Sequence, residues 1–112
     1  MDSEQTLILA FASPGMIQNP YIFKELATHY PKSKIIGCST AGEISGSSIM
    51  DDSICVAVAQ FENTPLKISI AEIQKLEDPI KTGIKAGEKI AKDLKKPDLR
   101  SILVLSNGLK VN

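Results

Sequence analysis

Seven consecutive residues near the start of the chain, Thr6-Leu7-Ile8-Leu9-Ala10-Phe11-Ala12, carry no charge and end at Ser13-Pro14-Gly15. An apolar run of this length, bounded by turn residues, fits a central β-strand covered on both faces. The next segment constrains what that strand pairs with. Asn19 supplies a side-chain acceptor for free amides, Pro20 a preset backbone angle, and Ile22, Phe23, Leu26, Ala27 and Tyr30 then recur at helical spacing until Pro31 ends the pattern. This predicts a helix of about three turns. Lys34-Ile35-Ile36-Gly37-Cys38 follows as a second short apolar run. Strand, helix and strand in this order make a crossover unit, which requires parallel strands and a right-handed connection.

The segment from Ser39 to Asp52 is rich in Gly and Ser and lacks a helical stripe, so it reads as a long loop of the kind that often carries function. Ser53 to Phe61 and Leu66 to Ala71 flank Glu62-Asn63-Thr64-Pro65 and are expected to form an antiparallel pair, which makes the sheet mixed. Lys67 and Ser69 alternate with Leu66, Ile68 and Ile70, as on an edge strand. Asp78-Pro79 repeats the cap-and-proline start of a helix, with Ile80, Ile84, Ile90, Ala91 and Leu94 on one stripe. Gly83 and Gly87 lie on that stripe, and each costs about 1 kcal/mol of helix propensity, which suggests close packing against the sheet. The opposite side carries Lys81, Lys85, Glu88, Lys92, Lys95 and Lys96 and reads as a solvated face whose last lysines complement the helix dipole. Ser101-Ile102-Leu103-Val104-Leu105-Ser106 then enters Asn107-Gly108 as a buried parallel strand enters a loop. The expected class is α/β, with a mixed sheet of about five strands in the order β-α-β-β-β-α-β and helices packed on it. An interior strand this late calls for another covering helix, so the reading is of an incomplete domain covered by further sequence or by a second copy in a homodimer.

Composition removes several functions. The 112 residues are 43% hydrophobic, enough for one core, and basic and acidic side chains balance at 13 each. There is no surplus positive field to hold nucleic acid. The opening Met1-Asp2-Ser3-Glu4-Gln5 has no basic leader region, and the longest early apolar run is far short of the ~20 residues that span a bilayer. The expectation is a cytoplasmic chain without membrane insertion. Cys38 and Cys55 have neither chelating spacing nor the density of a disulfide framework, so both are expected as free thiols.

In open α/β sheets, ligands bind at the carboxyl ends of parallel strands. Three loops are expected to gather on that edge: Ser13-Pro14-Gly15, the run Gly37-Cys38-Ser39-Thr40-Ala41-Gly42-Glu43, and Ser106-Asn107-Gly108. They offer hydroxyls, glycine-freed amides, a thiol and a carboxylate. Such groups suit a small polar metabolite, with Glu43 matched to an ammonium group and the amides to a carboxylate. The candidate ligand-binding residues are therefore Ser13, Gly37, Cys38, Ser39, Thr40, Gly42, Glu43 and Asn107. Two roles stay open for Glu43, meeting a ligand or capping backbone amides.

The run Ile35-Ile36-Gly37-Cys38-Ser39-Thr40-Ala41-Gly42-Glu43-Ile44, preceded by Leu7 to Pro14 with its Phe-Ala-Ser-Pro ending, resembles the N-terminal half of the FIST sensory domain. The likeness extends to the lysine-rich helix before Ile102-Leu103-Val104-Leu105-Ser106-Asn107-Gly108, and so covers nearly the whole chain. The resemblance implies an input module of a signal-transduction protein that senses a small ligand such as an amino acid. It also implies, as partner, a C-terminal FIST region or a signalling output domain such as a kinase, chemoreceptor or cyclic-dinucleotide module. Some FIST proteins bind haem, which keeps a haem-linked gas sensor as an alternative, beside a protein-interaction or dimerisation module.

Rival chemistries find little support in the residues. A nucleophilic Cys38 needs a nearby base, and the only histidine, His29, sits at the far end of the first helix. The spacing of Gly37 and Gly42 lacks the Lys-Ser or Lys-Thr of a nucleotide loop. A single histidine without partner spacing reads as a helix-surface residue rather than an axial ligand. No catalytic residue, metal or cofactor is called for, and the reading is of a binding module and not an enzyme.

Overall fold

The computed structural model describes residues 1–73 and 78–106. Among these residues the chain forms eight elements: β1 (Thr6–Ala12), α1 (Pro14–Ile17), α2 (Pro20–His29), β2 (Lys34–Ser39), β3 (Glu43–Ser45), β4 (Ser48–Met50), β5 (Ile54–Gln60) and α3 (Pro79–Leu94). They fall in two compact units, Met1–Leu66 and Lys67–Asn112. The architecture is α/β, with a mixed three-stranded sheet in the order β2-β1-β5 and a two-stranded hairpin of β3 and β4.

In the first unit, the apolar run of β1 takes the central place that its composition demands. It pairs in parallel with β2, from Leu7 opposite Lys34 to Ala12 opposite Ser39, as the crossover requires. On its other side it pairs antiparallel with β5, from Thr6 opposite Gln60 to Ala12 opposite Ile54. Burial alternates along β1. Thr6, Ile8, Ala10 and Ala12 are buried, whereas Leu7, Leu9 and Phe11 are only half-buried, so one face is sealed and the expected cover on both faces is not found. Thr6, on the buried face, donates its hydroxyl to the Met1 carbonyl. The helix α2 begins where Asn19 predicts, its Oδ1 accepting from the Tyr21 amide at 3.1 Å. At its other end Asp2 holds the turn into β2, accepting from the Ser33 hydroxyl at 2.7 Å and from the Ser33 and Lys32 amides at 3.0 and 3.1 Å.

Three expectations are corrected here. The long loop from Ser39 to Asp52 contains a hairpin, with Ile44 opposite Ile49 and Gly46-Ser47 as its two-residue turn. Gly46 has φ +61°, and Ser47 is not among the positive-φ residues, which is the signature of a turn with glycine at its first central position. Leu66 to Ala71 forms no strand, because β5 gives its inner edge to β1 and Pro65 removes a donor where a return pairing would start. Ser101 to Ser106 is likewise unpaired, and Ile102, Leu103 and Val104 are at least half exposed. An apolar run marks a segment that needs cover, but it becomes a strand only where a sheet edge receives it. Among the described residues five strands are thus present, the expected number, two of them in places the sequence did not indicate, and the element order there is β-α-α-β-β-β-β-α.

In the second unit, Asp78 caps α3, its Oδ1 accepting from the Ile80 and Lys81 amides at 3.1 Å each, while its Oδ2 pairs with the Lys81 ammonium at 3.4 Å. The extended segment beside the helix is tied to it by the Ser69 hydroxyl donating to the Asp93 carboxylate at 2.9 Å, and by Lys67 and Lys89 donating to the Asp93 and Ile70 carbonyls. α3 buries no residue among those described, and open space surrounds the position a Cβ would take at Gly87, so the close packing suggested for that glycine is not seen in this unit. Asp78→Ala should cost about 1 kcal/mol and fray the first turn, read as faster amide exchange at Ile80 and Lys81 with little change at Leu94.

Candidate functional site

The parallel pairing of β1 and β2 brings their carboxyl ends to one edge of the sheet. The Thr40 amide extends the ladder by donating to the Ala12 carbonyl at 3.0 Å. From the opposite side, the Ser13 amide donates to the Ser53 carbonyl at 3.1 Å and draws the start of β5 to the same edge. Ser13 is nearly buried, and its hydroxyl caps α1 by accepting from the Met16 amide at 3.4 Å.

Glu43 binds these pieces together. Its side chain is 1% exposed. Oε1 accepts from the Thr40 hydroxyl at 2.5 Å, while Oε2 accepts from the Ser53 hydroxyl at 2.7 Å and the Ser53 amide at 3.3 Å. The carboxylate therefore links the loop after β2 to the loop before β5 on either side of the end of β1. The Thr40 hydroxyl, then that of Ser53, stabilise its charged form more than burial opposes it, and hold its pKa below the ordinary carboxylate value. Of the two roles open to Glu43 in the sequence, the structure shows the capping one. Ser53, its main partner, was not singled out in the sequence. The available signal was a hydroxyl residue after Asp51-Asp52 and before an apolar run, where a loop must satisfy its amides. Asp52 has φ +48°, a left-handed turn that aims Ser53 back toward Glu43.

Gly37 lies opposite Ala10, and a Cβ there would overlap the Ala10 carbonyl oxygen and come within 2.9 Å of its carbon. Its glycine is explained by the approach of two strands. Gly42 is different, since a Cβ there makes ordinary contacts, with the Asp51 carboxylate and the Ile49 side chain at 3.7 Å and the Met50 carbonyl oxygen at 4.0 Å. Cys38 and Cys55 both lie opposite Phe11, one on each neighbouring strand. Two strand spacings of about 4.8 Å separate them, beyond the reach of a disulfide. Both thiols are free and half-buried, and that of Cys55 donates to the Ile44 carbonyl at 3.4 Å. His29 is turned to its own helix, its Nδ1 2.9 Å from the Glu25 carbonyl oxygen.

Seven of the eight candidate residues thus lie along the end of β1 and β2 and the loop to β3, and Asn107 lies outside the described residues. Among the seven, Ser13, Thr40 and Glu43 are engaged in holding the edge together. The Ser39 side chain is exposed, Gly42 is half-exposed, and the Ala41 and Gly42 amides make no hydrogen bond among the described residues. The edge therefore offers donors on a rigid frame. Among the described residues no group of three His, Cys, Asp or Glu side chains is placed to hold a metal ion, and no helix is long and apolar enough to cross a membrane.

The described residues thus form an α/β module with a parallel crossover and a braced strand-end edge. The sequence matches the family model of the FIST N domain over residues 6–112, and the chain belongs to that family. The FIST N domain is a sensory domain of signalling proteins and not a catalytic one. No curated protein and no solved structure matches the chain.

Proposed function

We propose that this chain is the ligand-sensing input module of a signal-transduction protein, and that it binds a small polar metabolite such as an amino acid without turning it over. The observation that carries the reading is the strand-end edge, where Glu43 fixes the loop from Ser39 to Gly42 and leaves the Ala41 and Gly42 amides and the Ser39 hydroxyl free. Free amides in consecutive loop positions suit a carboxylate, and the Cys38 and Ser13 side chains flank the same edge. Gly37 contributes by bringing β2 against β1, Thr40 by its bond to Glu43. A sensor must bind one of two conformations better than the other, and a loop held by one buried carboxylate is suited to shift as a unit. The partner reading the signal is a C-terminal FIST region or an output domain.

Calorimetric titration with a panel of amino acids and small carboxylates, followed by mass spectrometry of the recovered ligand, tests this. The expected result is saturable binding of at least one ligand, recovered unchanged. Consumption of the ligand would make the chain an enzyme, and absence of binding across the panel at millimolar concentration would remove the sensing reading. A second reading, an interaction or dimerisation module, is favoured by the exposed Ile102, Leu103 and Val104. It predicts concentration-dependent assembly that no small molecule alters.

A further inference from the structure

The hairpin of β3 and β4 follows directly on the loop of the strand-end edge, and its two faces differ. Glu43 pairs with Met50 and Ile44 with Ile49, so Glu43 lies on one face and the two isoleucines on the other. Gly42 stands next in line opposite Asp51, on the face of the isoleucines. Glu43 is sealed, whereas Ile44 is 67% and Ile49 76% exposed. Both isoleucines stand outside the core of Ile8, Ala10 and Ala12.

Gly42 is the gap in this face. A Cβ there would sit 3.7 Å from both the Asp51 Oδ1 and the Ile49 Cγ2, so its absence leaves a notch walled by a carboxylate and an alkyl group. The backbone of the notch belongs to the loop whose Ala41 and Gly42 amides make no hydrogen bond among the described residues. The exposed Asp51 carboxylate has no hydrogen bond or ion pair among them either. From Ser39 to Ser53 there is no lysine or arginine, and the charged side chains are Glu43, Asp51 and Asp52.

Free donors this close to a carboxylate place opposite demands on a ligand. A bare carboxylate at the amides meets the like charge of Asp51, and a bare amine leaves the amides without an acceptor. A molecule that carries both charges on one carbon meets both demands. We infer that the strand-end edge selects a zwitterionic α-amino acid with an apolar side chain, with Asp51 taking the ammonium, the Ala41 and Gly42 amides the carboxylate, and Ile49 the side chain. The inference rests on the strand-end reading and adds the residues that select. Asp51 takes the ammonium role that Glu43, closed in its own bonds, does not offer.

The test is calorimetric and amide NMR titration of the full chain with four probes. L-leucine carries all three features, 4-methylpentanoate lacks only the ammonium, 3-methylbutylamine lacks only the carboxylate, and L-serine lacks the apolar side chain. L-leucine should shift Ala41, Gly42, Ile49 and Asp51 saturably, with each other probe at least about tenfold weaker. Asp51→Asn, at an exposed position, should keep the urea midpoint and weaken L-leucine roughly three- to tenfold, with 4-methylpentanoate unchanged or tighter. Gly42→Ala should weaken L-leucine at least as much by filling the notch. Equal binding of L-leucine and any other probe would overturn the inference, as would an unchanged affinity in Asp51→Asn. Both results leave the strand-end reading standing where Ala41 and Gly42 still shift. No loop shift with L-leucine at millimolar concentration also overturns the inference, and the strand-end reading falls with it only if the wider panel of amino acids and carboxylates fails there too.

Discussion

Glu43→Ala is expected to destabilise the chain more than any other single truncation at the strand-end edge, read as a drop in the urea midpoint well beyond that of Asp78→Ala. The truncation removes the acceptor for two hydroxyls and one amide at a site that is nearly closed to water. Buried donors left unpaired cost more than the bonds they made were worth. Glu43→Gln keeps the volume but presents an NH₂ group to one of the two hydroxyl donors, so it should recover only part of the loss. The same carboxylate gives a pH dependence whose sign is set. Its folded pKa lies below the ordinary value of 4.5, so the unfolded chain binds the proton more readily. The stabilisation is complete above about that value and is lost as pH falls through the lower, folded pKa. Glu43→Gln should lack this part of the acid response.

Gly37→Val is expected to cost about 3 kcal/mol, at the upper end for overpacking, because the added atoms meet backbone and not a side chain that can turn away. Relief requires β2 to move off β1, and that movement also carries Cys38, Ser39 and Thr40 out of register with Phe11 and Ala12. The loss should therefore appear both in the urea midpoint and as faster exchange of the Thr40 amide. Gly42→Ala is the control. Its new methyl group meets only ordinary contacts, and its effect should stay within about 0.5 kcal/mol. If the two glycines behaved alike, the distinction between a glycine required by strand approach and one placed beside an open loop would be lost.

What the sequence revealed was local chemistry. Asn19-Pro20 and Asp78-Pro79 cap their helices as expected, because a cap acts on amides two or three residues away. The crossover from β1 to β2 was legible for a related reason, since one helix between two apolar runs leaves a parallel pair as the ordinary outcome. The partner of β5 was not legible. A short connection to Leu66 favoured a local hairpin, whereas the real partner, β1, lies more than 40 residues earlier and offers a full edge. The Ser39 to Asp52 segment misled by its composition, because glycine and serine mark a loop and also supply the two-residue turn between Ile44 and Ile49.

Seven of the eight residues expected at the strand-end edge do lie near one another there, and their bonds were only partly legible in the sequence. Thr40 and Glu43 are three residues apart and their bond was within reach of the sequence. Ser53 is ten residues further on, and its contact with Glu43 depends on the hairpin folding back between them. Thus Glu43 stood out as a carboxylate among small residues, while its actual work, bracing the loop whose neighbouring amides stay free, needed coordinates.

An amide NMR titration of the chain with the amino acids and small carboxylates that give heat in calorimetry tests the central claim most directly. The account predicts saturable shifts concentrated at Ser13 and from Gly37 to Glu43, with Ser53 following through its bond to Glu43 and β1 amides from Leu7 to Ala10 little changed. Binding that leaves the loop from Ser39 to Gly42 unshifted and perturbs other amides instead would contradict it.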